Sequence, residues 1–338
     1  MKEALLYNRS VNNFVDCSLC AHRCKIAEGK FGFCGVRQNI SGKLYSHVYA
    51  RPVAMHVDPI EKKPLYHFLP GSKSFSIATA GCNFHCGFCQ NWQISQQRTI
   101  DKNQYPGKEV AAQEIVKAAL NNKCRSISYT YTEPTIFFEY ALDTAKLAKE
   151  NGLSNVFVTN GYMTAECLEM IHTFLDAANV DLKFFKDESY RKICSATLAP
   201  VLGSIRLMHK LGIWVEVTTL IIPGENDSDQ ELRQIADFIA SVDKNIPWHI
   251  SRFHPDYKFT DYEITAEQSL EKAMEIGRQF GLKYIYAGNV TGWGNDTYCA
   301  SCRKLLIKRE VFDILEYNIK DGKCIFCQTA LAGANLER

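Results

Sequence analysis

From Ser74 onward the chain alternates short apolar runs, rich in β-branched and aromatic residues, with longer stretches whose apolar positions recur at helical spacing. The candidate strands are Phe75–Thr79, Ser126–Tyr131, Asn155–Thr159, Ala178–Lys183, Trp214–Ile222, His249–Phe253 and Tyr284–Ala287. The candidate helices are Val110–Leu120, Phe137–Glu150, Ala165–Leu175, Asp229–Ser241 and Ser269–Phe280. A strand and a helix in roughly every thirty residues is the rhythm of parallel βα units. About six such units close most of a barrel with helices outside, so the expected fold is α/β, a partial (β/α)6 barrel of the TIM-like kind.

In such a barrel, chemistry gathers on the loops after the strands. Those loops carry Gly81-Cys82-Asn83-Phe84 through Cys89, Tyr131-Thr132-Glu133-Pro134, Thr159-Asn160-Gly161, Asp181-Leu182-Lys183, Pro223-Gly224 and Arg252-Phe253-His254. Residues 1–73 and 290–338 break the rhythm, and each holds four cysteines. The expected organisation is therefore an N-terminal four-cysteine module with linker (1–73), a barrel (74–289) and a C-terminal four-cysteine module (290–338). Asp58–Phe68, rich in proline and charge, reads either as that linker or as a lid or wall over the site.

Composition narrows the class only slightly. Of 338 residues 46% are hydrophobic, which suits a large core, and 39 basic against 37 acidic side chains give a charge of +2. Nothing there calls for nucleic acid or a membrane as partner. The opening residues M-K-E-A-L-L-Y-N-R-S lack a signal-peptide apolar stretch, and no run of about 18 apolar residues is present, so a cytoplasmic protein is expected. The 14 cysteines change the picture more, because eleven of them fall into three clusters, and clustered cysteines in a reducing compartment are metal ligands before they are disulfides.

The clusters differ. Cys299-x2-Cys302 and Cys324-x2-Cys327 have the spacing of a four-cysteine zinc ribbon, with an auxiliary iron–sulfur cluster as the alternative. Cys17-x2-Cys20-x3-Cys24-x9-Cys34 suits either zinc or a [4Fe–4S] cluster. Cys82-x3-Cys86-x2-Cys89 has three ligands directly after an apolar strand. Three thiolates hold three corners of a [4Fe–4S] cubane and leave the fourth iron open to substrate.

That pattern, with the aromatic Phe88 before the last cysteine, resembles the radical S-adenosylmethionine (SAM) superfamily. The later loops resemble the branch around the pyruvate formate-lyase activating enzyme. The whole chain resembles the AmmeMemoRadiSam system family of radical SAM enzymes, through Asp58–Phe68, Gly81–Trp92, Tyr131–Pro134 and Ser251–Tyr257. The resemblance implies that Cys82, Cys86 and Cys89 bind the cluster, that SAM chelates the open iron, and that its reductive cleavage gives a 5′-deoxyadenosyl radical which abstracts hydrogen from a second substrate. It assigns SAM contacts to Phe88, Thr132, Glu133, Asn160, Asp181, Lys183, Ile222 and His254, with Lys183 and His254 also placed among the catalytic groups. It further implies an electron donor such as flavodoxin or ferredoxin, and a shared pathway with Memo-like and AMMECR-like proteins. Val158 stands where the activating enzyme has an acid, which counts against a cation site there. Two other functions stay open: activation of a glycyl-radical partner protein, and a non-enzymatic metal-stapled scaffold or nucleic-acid module.

Overall fold

A computed structural model describes residues 1–96 and 106–337. At its centre lie eight strands in chain order: β1 (Pro52–Pro59), β2 (Lys73–Thr79), β3 (Ser126–Tyr129), β4 (Ser154–Thr159), β5 (Ala177–Asp181), β6 (Trp214–Ile221), β7 (Trp248–Arg252) and β8 (Ile285–Gly288). Strands β2 to β8 are parallel, and β1 pairs antiparallel with β2 at one edge. The edges β1 and β8 do not pair with each other, so the barrel is open. Seven parallel strands therefore stand where about six units were expected, with boundaries within a few residues of the sequence reading.

The crossovers carry α1 (Ala112–Asn121), α2 (Phe138–Glu150), α3 (Ala165–Ile171), α4 (Leu198–Lys210), α5 (Asp229–Val242) and α6 (Glu267–Gln279). Side-chain caps start two of them: the Thr164 hydroxyl accepts from Cys167 N, and the Ser228 hydroxyl from Glu231 N. Helix α4 is absent from the sequence expectation. Pro200 in its first turn and Gly203 inside it read as breaks, although Val201, Ser204, Ile205 and Met208 form one buried stripe.

Residues before β1 form two small three-stranded sheets, and their apolar residues Val15, Leu19, Ile26, Val36 and Leu44 belong to the same hydrophobic core as the barrel. A buried ion pair between Arg37 and Glu139 of α2, both under 3% exposed, reinforces that join. Residues 297–324 add a three-stranded antiparallel sheet and a two-stranded one.

The stretch Asp58–Phe68 is neither a slack linker nor a lid. It leaves β1 and crosses the inside of the open barrel, and eight of its eleven residues are buried, Pro59, Lys62 and Pro64 excepted. The Pro64 carbonyl accepts from Asn179 on β5, and the backbone N–H groups of Tyr66 and His67 donate to Glu216 near the start of β6. Glu216 also accepts from Trp214 Nε1 and from His249 Nε2 at the start of β7. The segment thus forms a floor at the N-terminal end of the strands, opposite the loops where chemistry is expected. The C-terminal module docks under that floor: Arg309 donates to the Tyr66 carbonyl and to Thr297, and His67 bonds both Tyr286 and the Ala332 carbonyl. Among the described residues no helix is long and apolar enough to cross a membrane.

Candidate functional site

The loop after β2 is aimed by glycines. Gly81 has φ +96°, and a Cβ there would lie 2.6 Å from Val36 Cγ1 and 3.0 Å from the Cys34 carbonyl oxygen. Gly87 is pressed against the Phe259 ring, where a Cβ would meet Cε2 at 2.5 Å. The loop after β7 closes over this turn, since Lys258 N donates to the Gly87 carbonyl and Tyr257 stacks on Trp92. Gly81→Ala is expected to lower stability by about 1–3 kcal/mol, for a strained backbone and an overfilled contact, and to reduce iron uptake in anaerobic reconstitution. An unchanged melting temperature with full iron content would contradict this reading.

Cys82, Cys86 and Cys89 open into a cavity of about 500 Å³ at the C-terminal ends of the strands. Phe88, Thr132, Glu133, Asn160, Asp181 and Lys183 line the same cavity, so the structure brings together nine of the eleven residues that the sequence placed in this site. Ile222 and His254 are the other two. Ile222 is fully buried outside the lining, where its N–H is held by Asn226, and Leu220 of β6 reaches the cavity instead. His254 is exposed and meets the cavity only through Gln90, 2.8 Å from its Nε2.

The three thiols sit in unlike surroundings. Burial, with Glu133 nearby, pushes the Cys82 thiol well up. Burial also raises Cys89, opposed by a hydrogen bond from the Ser95 hydroxyl. Cys86 goes the other way, because the Cys194 thiol hydrogen-bonds to it and the Lys183 ammonium favours its thiolate. Their sulfurs do not converge as ligands of a single ion do. Three separate thiols around one cavity fit a cubane, whose cysteines each hold a different iron.

Around them the polar groups are ordered. Strand alternation carries past the end of β5, where Leu182 N still bonds the Thr218 carbonyl. Asp181 and Lys183 consequently face the cavity together, paired at 2.9 Å, with Leu182 buried on the other side. Glu133 is 1% exposed and caps the short helix Pro134–Phe137: its carboxylate accepts from Thr135 N, the Thr135 and Thr159 hydroxyls and Asn160 N. Burial raises its pKa despite these donors. Much of its accepting capacity is thus spent on tying the exits of β3 and β4 together. Thr132 donates to the Thr79 carbonyl, which leaves its oxygen lone pairs for a ligand.

The sequence reading did not assign Lys62 and Lys63, which line the cavity from the floor segment. Asp58 accepts from both lysines and from the Tyr131 hydroxyl; burial opposes ionisation, but these donors hold the carboxyl well below its usual range. A signal was present: a Lys-Lys pair in a segment otherwise rich in large apolar residues. Val158 lines the cavity as an apolar wall where the activating enzyme carries its acid.

Comparison with known proteins gives this site a context. The sequence profile described as Radical SAM superfamily matches residues 76–239. The chain is 45% identical to the uncharacterized protein MJ0808 of Methanocaldococcus jannaschii over 97% of its own length and 98% of that protein's. It is 26% identical to the pyruvate formate-lyase-activating enzyme of Clostridium pasteurianum, over 57% of this chain and 84% of that one. A radical SAM methyltransferase structure from Sphaerobacter thermophilus superposes with a TM-score of 0.52 at 15% identity, covering 70% of this chain and 71% of the other, a likeness of fold.

Proposed function

Because the chain belongs to the radical SAM superfamily, an enzyme family related here to the pyruvate formate-lyase activating enzyme, we propose that it cleaves SAM reductively and uses the resulting radical to take a hydrogen from a second substrate. The observation that carries this is the single cavity in which Cys82, Cys86 and Cys89 meet the polar exits of β3, β4 and β5. When bound by the three thiolates, a [4Fe–4S] cluster supplies the electron that splits the sulfonium and leaves one iron for the SAM amino and carboxylate groups.

The rest is done by the chain's own groups. Thr132 offers a hydroxyl oxygen, and Asn160 an amide already oriented by Asn83 at 2.8 Å. The Asp181–Lys183 pair holds a carboxylate for the ribose hydroxyls and an ammonium beside Cys86. Phe88 and Leu220 give apolar surface, and the floor segment with Lys62 and Lys63 closes the cavity from below. At its outer edge, His254 acts through Gln90. The four C-terminal cysteines serve as a structural zinc site that fixes the module beneath the barrel. A one-electron donor such as flavodoxin or ferredoxin completes the cycle, and Memo-like and AMMECR-like proteins are the partners expected from the family resemblance.

Incubation with deuterated candidate metabolites, followed by mass analysis of 5′-deoxyadenosine, tests the reading: label in the nucleoside identifies the hydrogen donor. SAM cleavage that is never stimulated by, and never takes label from, any added metabolite would count against a small-molecule substrate. The printed name of the Clostridium relative favours a second reading, activation of a glycyl-radical protein. That reading requires a protein-borne radical to appear on mixing with a partner.

A further inference from the structure

The two terminal cysteine sets match in number and differ in geometry. At the C-terminus, Cys299 and Cys327 have sulfurs 3.6 Å apart, Cys302 and Cys324 3.7 Å apart, and all four lie within 4.8 Å of one another. Tetrahedral zinc with Zn–S bonds of about 2.3 Å sets its sulfurs about 3.8 Å apart. Those four are therefore arranged to share one ion. Among the described residues no other group of metal-ligating side chains converges in this way. Cys17, Cys20, Cys24 and Cys34 instead stand around a common cavity in the N-terminal region, as thiolates do when each holds a different metal atom.

Two further observations concern what that cavity would hold. The Phe33 N–H bonds the Cys24 sulfur at 3.4 Å, and the backbone at His22 and Val36 favours the thiolates of Cys20 and Cys34, although burial outweighs it and raises both thiols. Hydrogen bonds to sulfur are one of the means by which proteins stabilise iron–sulfur clusters. Arg37 lines the same cavity at 1% exposure, and its Nε has no partner, although its terminal nitrogens are held by Glu139 and the Leu5 carbonyl. A buried guanidinium N–H left unpaired is costly unless something negative faces it. Arg37 bears on the charge of the occupant, and the spread of the sulfurs bears on its nuclearity.

We propose that Cys17, Cys20, Cys24 and Cys34 bind a second [4Fe–4S] cluster, with Arg37 as its charge partner, in place of the zinc that four cysteines at either end would suggest. The site abuts the SAM-cluster loop. The Cys34 carbonyl lies so near Gly81 that a Cβ there would be 3.0 Å from its oxygen, and His22 Nε2 donates to the Asn83 carbonyl at 2.7 Å, so both neighbours flank Cys82.

The test is metal content in protein that lacks the loop ligands. The variant Cys82→Ala/Cys86→Ala/Cys89→Ala, reconstituted anaerobically with iron and sulfide and then desalted, is expected to keep about four irons and four sulfides per chain, about one zinc, and a cluster EPR signal after dithionite reduction. Adding Cys20→Ala and Cys24→Ala together, which leaves only two thiolates at the site, should remove the iron and leave the zinc; adding Cys299→Ala and Cys302→Ala together should remove the zinc and leave the iron. About two zincs with no iron in the triple variant overturns the proposal, as does a full iron count that survives loss of both Cys20 and Cys24. If the triple variant does not fold, Cys20→Ala/Cys24→Ala protein is read against wild type, and a fall from about eight irons to about four is expected; an unchanged count overturns the proposal. These counts do not depend on SAM cleavage, so failure of the functional reading is separately visible.

Discussion

Cys86→Ala is expected to abolish formation of 5′-deoxyadenosine and methionine from SAM by anaerobically reconstituted, dithionite-reduced protein. Cys86 is the buried middle ligand of the three and opens into the cavity beside Lys183 and Cys194. With only two thiolates left in the loop, a cubane loses its third corner, and the iron meant for SAM is no longer the one open position. Loss of a residue that merely supports a metal ligand typically costs about 10–100-fold in affinity or activity. Loss of the ligand itself should exceed that and bring the rate down to that of metal-free protein. Cys124→Ala is the control, because Cys124 lies outside all three cysteine clusters and outside the cavity. Cleavage that persists when all three loop cysteines are removed would sink the assignment of the site.

The largest effect on stability is expected at the opposite end of the barrel. Glu216→Ala removes a fully buried carboxylate that accepts from Tyr66 N, His67 N, Trp214 Nε1 and His249 Nε2. Four donors, three of them buried, are left without an acceptor, and breaking a buried network of this kind costs about 3–5 kcal/mol, to be read as a lower urea midpoint. The same residue sets a pH dependence. Burial alone would raise its pKa, but the hydrogen bond from His249 and the attraction of the adjacent imidazole rings outweigh burial and hold it below the usual carboxylate range. A carboxyl depressed in the folded state contributes stability that is fully present above its unfolded pKa and is lost as pH falls through the folded one. Wild-type protein should therefore lose stability below about pH 4.5 more steeply than Glu216→Ala does. Parallel acid profiles for the two proteins would show that the carboxylate is not ionised in the native state.

The parallel strands were legible because each is a short apolar run bounded by turn residues, and the first sites were legible because cysteine spacing is tied to metal chemistry. Local pattern failed where a residue's partner lies far along the chain. Pro200 and Gly203 mask helix α4, whose burial against the barrel outweighs their poor helical propensity. The proline and charge of Asp58–Phe68 left a linker and a lid or wall both open, and local pattern could not decide, because Asp58, Glu61, Lys63 and His67 are buried by partners from Tyr131, Gly71, Arg309, Tyr286 and the backbone of the far end of the chain. Lys62 and Lys63 were missed for the same reason. The strand β5 reading correctly set Asp181 beside Lys183, since alternation is a local rule, while Ile222 lies past the end of β6, where the chain is already turning towards Pro223-Gly224 and the rule lapses.

The floor has a consequence for how the chain reaches its native state. Tyr66 and His67 donate to an acceptor 150 and 149 residues later in the sequence. During synthesis this segment emerges long before β6 exists, and closing so long a loop must precede any reward from the contacts it makes. Strands β2 to β5 can pair with their sequence neighbours as they appear, but the interior of the barrel stays unfilled until Glu216 arrives. The fold is therefore assembled sequentially at its sheet and completed late at its base, so that a chain cut short before β6 would present a sheet whose inner face still waits for its acceptor.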